Sequence, residues 1–160
     1  MAIQREYMTN LPQRYLDDFV IGDSFESGSI KVTEDNIIAF AEQFDPQPFH
    51  LDAAFAAQSF FGGLVASGWH TAALTMNLLV NSGVNIANGL IGLGVDKLRW
   101  LLPVHPGDTL RIRTVVIDIK SSPSRVNHGI LILHTDTLNQ QDVIVQTFVA
   151  KLLVNRRTHD

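Results

Sequence analysis

FAEQFDPQPFHLDAAFAAQSFFGGLVASGWHT, residues 40–71, is the stretch whose reading decides the fold. An acid, Asp45, and a base, His50, flank two prolines, and Asp52 follows at once as a helix-start signal. Gly62-Gly63 then lead into Ser67-Gly68 and a second, very apolar segment. This order supplies a proton-transfer pair and a bare helix N-terminus within one short span. Those are the parts needed to add or remove water next to a carbonyl.

Upstream, residues 1–20 read as an arm with little regular structure, Gly22-Asp23 as a turn, and residues 25–32 as a short strand. Thr33 is a good N-cap, with Glu34 and Asp35 in the first turn, where the helix dipole favours acids. Ile37, Ile38, Phe40, Ala41 and Phe44 recur at helical spacing. Pro46 ends that helix, because the residue before a proline avoids helical angles. Asp45 therefore sits at the helix exit, and His50 in an extended piece beyond it. Asp52 caps a short helix over residues 53–59, which Gly62-Gly63 break. From Gly68 to about Ser82 the chain is apolar on most helical faces, so this helix is expected to be buried.

The remainder differs in kind. Residues 90–102, 109–120, 125–138 and 143–154 read as long strands rich in Val, Ile and Thr. Pro106-Gly107-Asp108, Ser121-Ser122-Pro123 and Asn139 to Asp142 are the turns between them. Consecutive strands joined by short turns imply an antiparallel sheet. Such a sheet must bury one face, and the apolar helix is the object to wrap. The expected class is α+β, one layer of sheet around a long central helix.

At 160 residues the chain fits one domain, residues 1–160, with no repeat, linker or low-complexity segment. Hydrophobic content of 46% and charged content of 18% describe a globule slightly richer in apolar residues than usual. A net charge of −4 argues against a general nucleic-acid binder. The absence of cysteine excludes disulfides, thiolate catalysis and cysteine zinc sites. The opening residues carry no signal-peptide core, and no run approaches the ~18 apolar residues of a membrane span, so a cytoplasmic protein is expected. No glycine-rich phosphate loop is present, so no nucleotide cofactor is implied.

These residues resemble a known family. The DPQPFHLD run, the Ser67-Gly68 step before the apolar helix and the PVHPGDTL turn are similar to the MaoC-like dehydratases, which include the (R)-specific enoyl-CoA hydratases. The likeness extends over residues 15–153, and its most specific part is the pairing of Asp45 with His50 beside a proline. The resemblance implies the hot-dog fold and a hydro-lyase acting on a 2-enoyl thioester. Coenzyme A would enter only as part of the substrate, with no other cofactor. Asp45 and His50 would be the acid–base pair, and the backbone N–H of Gly68 would hold the thioester oxygen. Ser67 would be a small polar residue of the site. Many members carry His-Gly followed by an aliphatic residue, whereas this chain has Ser67-Gly68-Trp69-His70. Trp69 and His70 are therefore candidates for contacting the acyl group. In hot-dog proteins two sheets join edge to edge, so a homodimer or a dimer of dimers is expected.

Each of these residues also has a plainer reading. Asp45 could cap a turn, with His50 packed beside Phe49; Gly68 could be a close-packing position; Ser67 could be only an N-cap. Trp69 could pack wholly in the core, and His70 could be a core histidine. Lys97, Arg99, Arg111, Arg113 and Arg125 could meet the phosphates of coenzyme A or form a solvated strand face. His105, His128, His134 and His159 are scattered, and His50, Asp52 and His70 lack a metal-ligand spacing. Two other functions compete. A hot-dog thioesterase usually places an Asp or Glu on the central helix, and WHTAALTMNLLVN has none. A non-catalytic thioester-binding subunit would have no need for both Asp45 and His50.

Overall fold

The computed structural model describes residues 12–157. Thr33 Oγ1 accepts the Asn36 N–H at 3.2 Å and opens α1 (Glu34–Phe44). The helix stops at Asp45, whose extended backbone is what Pro46 demands. The following turn, α2 (Pro48–Leu51), is helical. His50 therefore lies on a short helix and not in an extended piece. Pro48 occupies its first position, where a proline's fixed φ and missing N–H cost nothing. Asp52 ends α2 and caps α3 (Ala53–Ala57), accepting the Phe55 N–H at 2.9 Å. Gly62, at φ +67°, turns the chain toward the central helix, α4 (Gly68–Val80), which ends two residues before Ser82.

The strands fall close to their expected bounds: β3 (Ile91–Trp100), β4 (Thr109–Ser121), β5 (His128–Leu138) and β6 (Ile144–Asn155). The first strand is instead two pieces, β1 (Ser24–Glu26) and β2 (Ile30–Lys31), both antiparallel to β4. Between them Ser27 bonds Ile112 through its side chain and backbone, which holds the break against the sheet. The sheet order is β1-β4-β5-β6-β3, antiparallel throughout. The turn Pro106-Gly107-Asp108 therefore closes no hairpin. β3 lies at the far edge, and the chain crosses back to β4 after Leu101 has donated to Val145 O at 2.8 Å. On the way, Val104 O accepts the Ala66 N–H at 2.8 Å, so the crossing segment is pinned beside the start of α4.

Alternation along the long strands sends Ile112, Val116, Leu131, Leu133, Phe148 and Leu152 into one core with Leu78 and Leu79 of α4. The sheet covers only one side of α4. Trp69, Met76 and Val80, at helical spacings of seven and four, are 58%, 44% and 44% exposed. The expectation of a helix buried on most faces is thus met on the sheet side and where His70 packs on α1. A single curved sheet layer has no second face to supply.

The N-terminal arm departs from expectation in the part described; residues 1–11 lie outside it. Leu16 and Phe19 are buried in the core around a 3-10 turn, Leu16–Asp18. Asp17 and Asp18 pair with Arg156 and Arg157 just beyond β6. Gly129 makes room for this: a Cβ there would collide with Leu16 Cδ2 and lie 2.8 Å from Lys120 O. Gly129→Ala should therefore cost ~1–3 kcal/mol by overpacking. Adding Leu16→Ala should cost less than the sum of the two single changes, because both act on one contact. Urea denaturation of the four proteins checks this, and strict additivity would show that Leu16 does not fill the glycine's space.

Candidate active site

Four segments meet at one end of α4. Asp45 Oδ2 accepts the Ser67 hydroxyl at 2.6 Å, and Oδ1 accepts Gln47 Nε2 at 2.7 Å. His50 Nε2 lies 3.3 Å from the same Oδ2. The other ring nitrogen, Nδ1, is 2.7 Å from Val65 O. A carbonyl can only accept, so Nδ1 carries hydrogen, and in the neutral ring Nε2 offers a lone pair toward Asp45. His50 is 5% exposed and stands edge-on to Phe49 with centroids 4.6 Å apart. Packing against Phe49 and pairing with Asp45 therefore hold together.

Burial works to raise the Asp45 pKa. The hydrogen bonds from Ser67 and Gln47 and the proximity of His50 work the other way and prevail, so the carboxyl is held below its ordinary value. An ionised carboxylate thus faces the Nε2 edge of His50. Between them a bound water could give one hydrogen to each.

Asp45 and His50 line a cavity of about 500 Å³, together with Gly68, Trp69, Thr71 and Trp100. Ser67 caps α4, accepting the Trp69 N–H at 3.2 Å while donating to Asp45. Cap and site wall are therefore one residue. The first N–H groups of a helix lack intrahelical acceptors and stand at the positive end of its dipole. Gly68, the first residue of α4, lines the cavity. Gly68 is also a close-packing position, since a Cβ would overlap the Trp100 indole, with Cζ2 at 2.8 Å. Trp69 is no core residue; it lines the cavity and meets Trp100 edge-on, with centroids 5.1 Å apart.

His70 is placed elsewhere. Its ring stacks on Phe40 at 4.8 Å and 10°, it is 6% exposed, and it is not among the cavity-lining residues. The helix turns it about 200° from Gly68, toward α1. Arg111 pairs with Asp142 and Glu26, and Arg113 with Asp136. None of the five basic strand and turn residues lines the cavity. Among the described residues no three His, Asp or Glu side chains are gathered to hold a metal ion. His159 lies outside the described residues.

Residues 18–137 match the family model described as the MaoC like domain. The chain belongs to the MaoC-like dehydratase family. Its fold, an antiparallel sheet around a helix, is the hot-dog fold. It is similar to the MaoC-like dehydratase of Rhodospirillum rubrum, at 49% identity and TM-score 0.87, over 91% of this chain and 99% of that one. It is similar to an (R)-hydratase of Pseudomonas aeruginosa at 26% identity and TM-score 0.74, over 92% and 89%. The protein YdeM of Bacillus subtilis is 35% identical over 88% of this chain and 99% of its own length. Family and neighbours make this MaoC-like dehydratase a hydratase in the broad sense.

Sequence reasoning did not reach Gln47, the Val65 carbonyl, Trp100 or Gln146. Gln47 had a signal, an amide two residues from the acid. Val65 acts through its backbone, which no side chain announces. Trp100 and Gln146 come close only through strand pairing.

His70 gives a pH test. Burial lowers its pKa from the ordinary 6.5. The unfolded chain takes up a proton near that value and the folded chain does so only at lower pH. Stability is therefore full above the unfolded pKa and falls as pH drops through it toward the folded pKa. His70→Phe keeps the stack on Phe40 and removes the titration. Its urea midpoint should change less than the wild-type midpoint from about pH 7 to about pH 5. Equal slopes would show that His70 titrates normally.

Proposed function

We propose that this MaoC-like dehydratase reversibly adds water to a 2-enoyl thioester, an enoyl-CoA, giving a 3-hydroxyacyl thioester. The observation that carries the reading is the 3.3 Å contact of His50 Nε2 with the Asp45 carboxylate, in a cavity that also holds the N-terminus of α4. Two basic atoms at that separation suit the two hydrogens of one water. As its oxygen bonds to Cβ, the pair takes one proton, and one proton is returned to Cα. The C=C π bond is consumed, H and OH are added, and the pair ends as it began. Negative charge builds on the thioester oxygen during the step. The Gly68 N–H and the helix dipole would stabilise it without any side-chain reorganisation. Ser67 and Gln47 keep Asp45 ionised and aimed. No acid lies on α4 to activate water against the thioester carbonyl, which favours hydration over hydrolysis.

The apolar side of α4 is proposed to be covered by a second copy of the chain. β3 forms a sheet edge, and its Ile91, Leu93 and Val95 are 44%, 51% and 53% exposed. An unpaired apolar edge of this length is a template for pairing. A homodimer or a dimer of dimers should appear by light scattering at micromolar concentration, and a monomer would defeat this assembly.

Hydration is read as loss of 2-enoyl-CoA absorbance, and hydrolysis as free thiol. Asp45→Asn and His50→Ala should each lower kcat by at least ~100-fold, and the double variant should be little worse than the poorer single one. Ser67→Ala removes one hydrogen bond to Asp45 and should cost about tenfold, ~1.4 kcal/mol. Near-full activity in either single acid–base variant, or thiol release in place of hydration, would overturn the mechanism.

A further inference from the structure

We propose that Trp100 is the fixed wall that selects short, uncharged acyl groups, and that buried Gln146 is the positioning residue that holds it. This rests on the thioester reading of the same site. The indole lies over Gly68, and a single methyl at position 68 would overlap it. The ring therefore lies against the Cα of the residue whose N–H is assigned to the thioester oxygen, and both line the same cavity. Trp69 meets it edge-on; the two residues are 58% and 46% exposed, and what sets Trp100 apart is its indole hydrogen bond to a buried side chain.

The ring is locked in place. Trp100 Nε1 donates to Gln146 Oε1 at 2.9 Å, and Gln146 is fully buried. Gln146 Nε2 donates to Thr75 Oγ1 at 2.9 Å. Thr75 gives its own hydrogen to Thr71 O at 2.9 Å, and Thr137 Oγ1 stands 2.7 Å from Thr75 Oγ1 and donates to it. Each donor atom of this network meets an acceptor. Flipping the Gln146 amide would set its NH2 against the indole N–H and its oxygen against the Thr75 acceptor. The amide has one allowed orientation, and so does the indole hydrogen bond. A core position of β6 is thus spent on a polar side chain whose outward-reaching bond ends on the cavity wall.

Charge points the same way. Among the lining residues the only titratable side chains are Asp45 and His50, with no Lys or Arg. A second carboxylate on the acyl group would enter beside an ionised Asp45 and find no cation among the lining residues of this chain. A flat indole tethered to a buried amide limits length, and the lining disfavours charge.

The test uses the full-length protein and the saturated thioesters butyryl-, octanoyl- and glutaryl-CoA, which have no double bond to hydrate. Binding is measured by titration calorimetry, alongside turnover of crotonyl- and 2-octenoyl-CoA. Wild type should bind butyryl-CoA at least ~10-fold more tightly than the other two, the order expected of a tight pocket wall. Trp100→Leu, and more mildly Trp100→Phe, should move the octanoyl-to-butyryl ratio at least ~10-fold toward octanoyl. Gln146→Met keeps volume but frees the ring; it should move the ratio the same way by a smaller factor, through KM more than kcat. It should add nothing in a Trp100→Phe background, where the bond is already gone. With Trp69→Phe, Trp100 is the only tryptophan, and Gln146→Met should speed its fluorescence anisotropy decay.

An unchanged ratio in folded Trp100→Leu or Trp100→Phe would overturn the wall, and an unchanged anisotropy decay would overturn the role of Gln146. Equal binding of glutaryl- and butyryl-CoA, or no binding of any, would also overturn the proposal, as would loss of the oligomer in the Trp100 variants. Preference is read without turnover. If binding behaves as expected and no enoyl-CoA is hydrated, the hydratase reading fails alone. If hydration depends on Asp45 and His50 while the preference ignores Trp100, this inference fails alone.

Discussion

The Asp45 carboxylate is the constraint on which the site depends. It is partly buried, and an ionised group there is tolerable only if hydrogen-bonded. Ser67 and Gln47 supply those bonds from opposite sides, and His50 closes the third direction. Each partner comes from a different local structure: the cap of α4, the loop after α1, and the short helix α2. One charge therefore ties together three segments that have no sheet pairing among themselves. The tie also serves chemistry, because the same bonds that offset burial keep the carboxyl ionised. Two prolines make the arrangement local. Pro46 forces α1 to release Asp45, and Pro48 starts the turn that brings His50 back within five residues.

The sheet supplies rigidity on one side of α4 and leaves the other side open. At the open edge β3 is irregular: its register with β6 slips between Gly92 and Gly94 and again between Asp96 and Arg99, and Lys97 sits at φ +55°. Bulges of this kind bend and twist a strand. Here the second slip precedes Trp100, and it decides that Trp100 pairs with Gln146 on the inner face. An edge irregularity thus sets the position of a cavity wall.

The long strands were legible because β4, β5 and β6 alternate at period two and end at turn residues. α1 was legible through Thr33, its acidic first turn and Pro46. The strand order was not, because the segment after β3 looks like a hairpin turn, while the pairings of β3 are made with β6 far along the chain. α2 was hidden by two prolines that read as extended chain and in fact start a helix. In the site, Asp45, His50, Ser67 and Gly68 could be found since they lie within one contiguous stretch. His70 shares that stretch, yet helical geometry turns it away from the cavity. The openness of α4 could not be read from its composition, because an apolar helix looks the same whether one sheet or two subunits cover it.

The inner face of the sheet carries more polar groups than a core of this size needs. Thr114, Thr135, Thr137 and Gln146 are all fully buried. They come in satisfied sets: Thr114 with Thr135 at 2.8 Å, and Thr137 and Gln146 with Thr75. Ile112, Thr137, Gln146 and Trp100 form one cross-strand row over four strands. A one-residue slip of any strand would turn its members outward and strand the partners left behind without hydrogen bonds. Apolar residues in the same places would pack in several registers at similar energy. The polar row penalises all but one. It also bonds the middle of α4 to the sheet, so the helix cannot slide along its axis without breaking the Thr75 contacts. Since Gly68 is seven residues before Thr75 on the same rigid helix, fixing Thr75 against the sheet fixes the helix N-terminus against Trp100. The core thereby sets the geometry of the cavity from the side opposite Asp45.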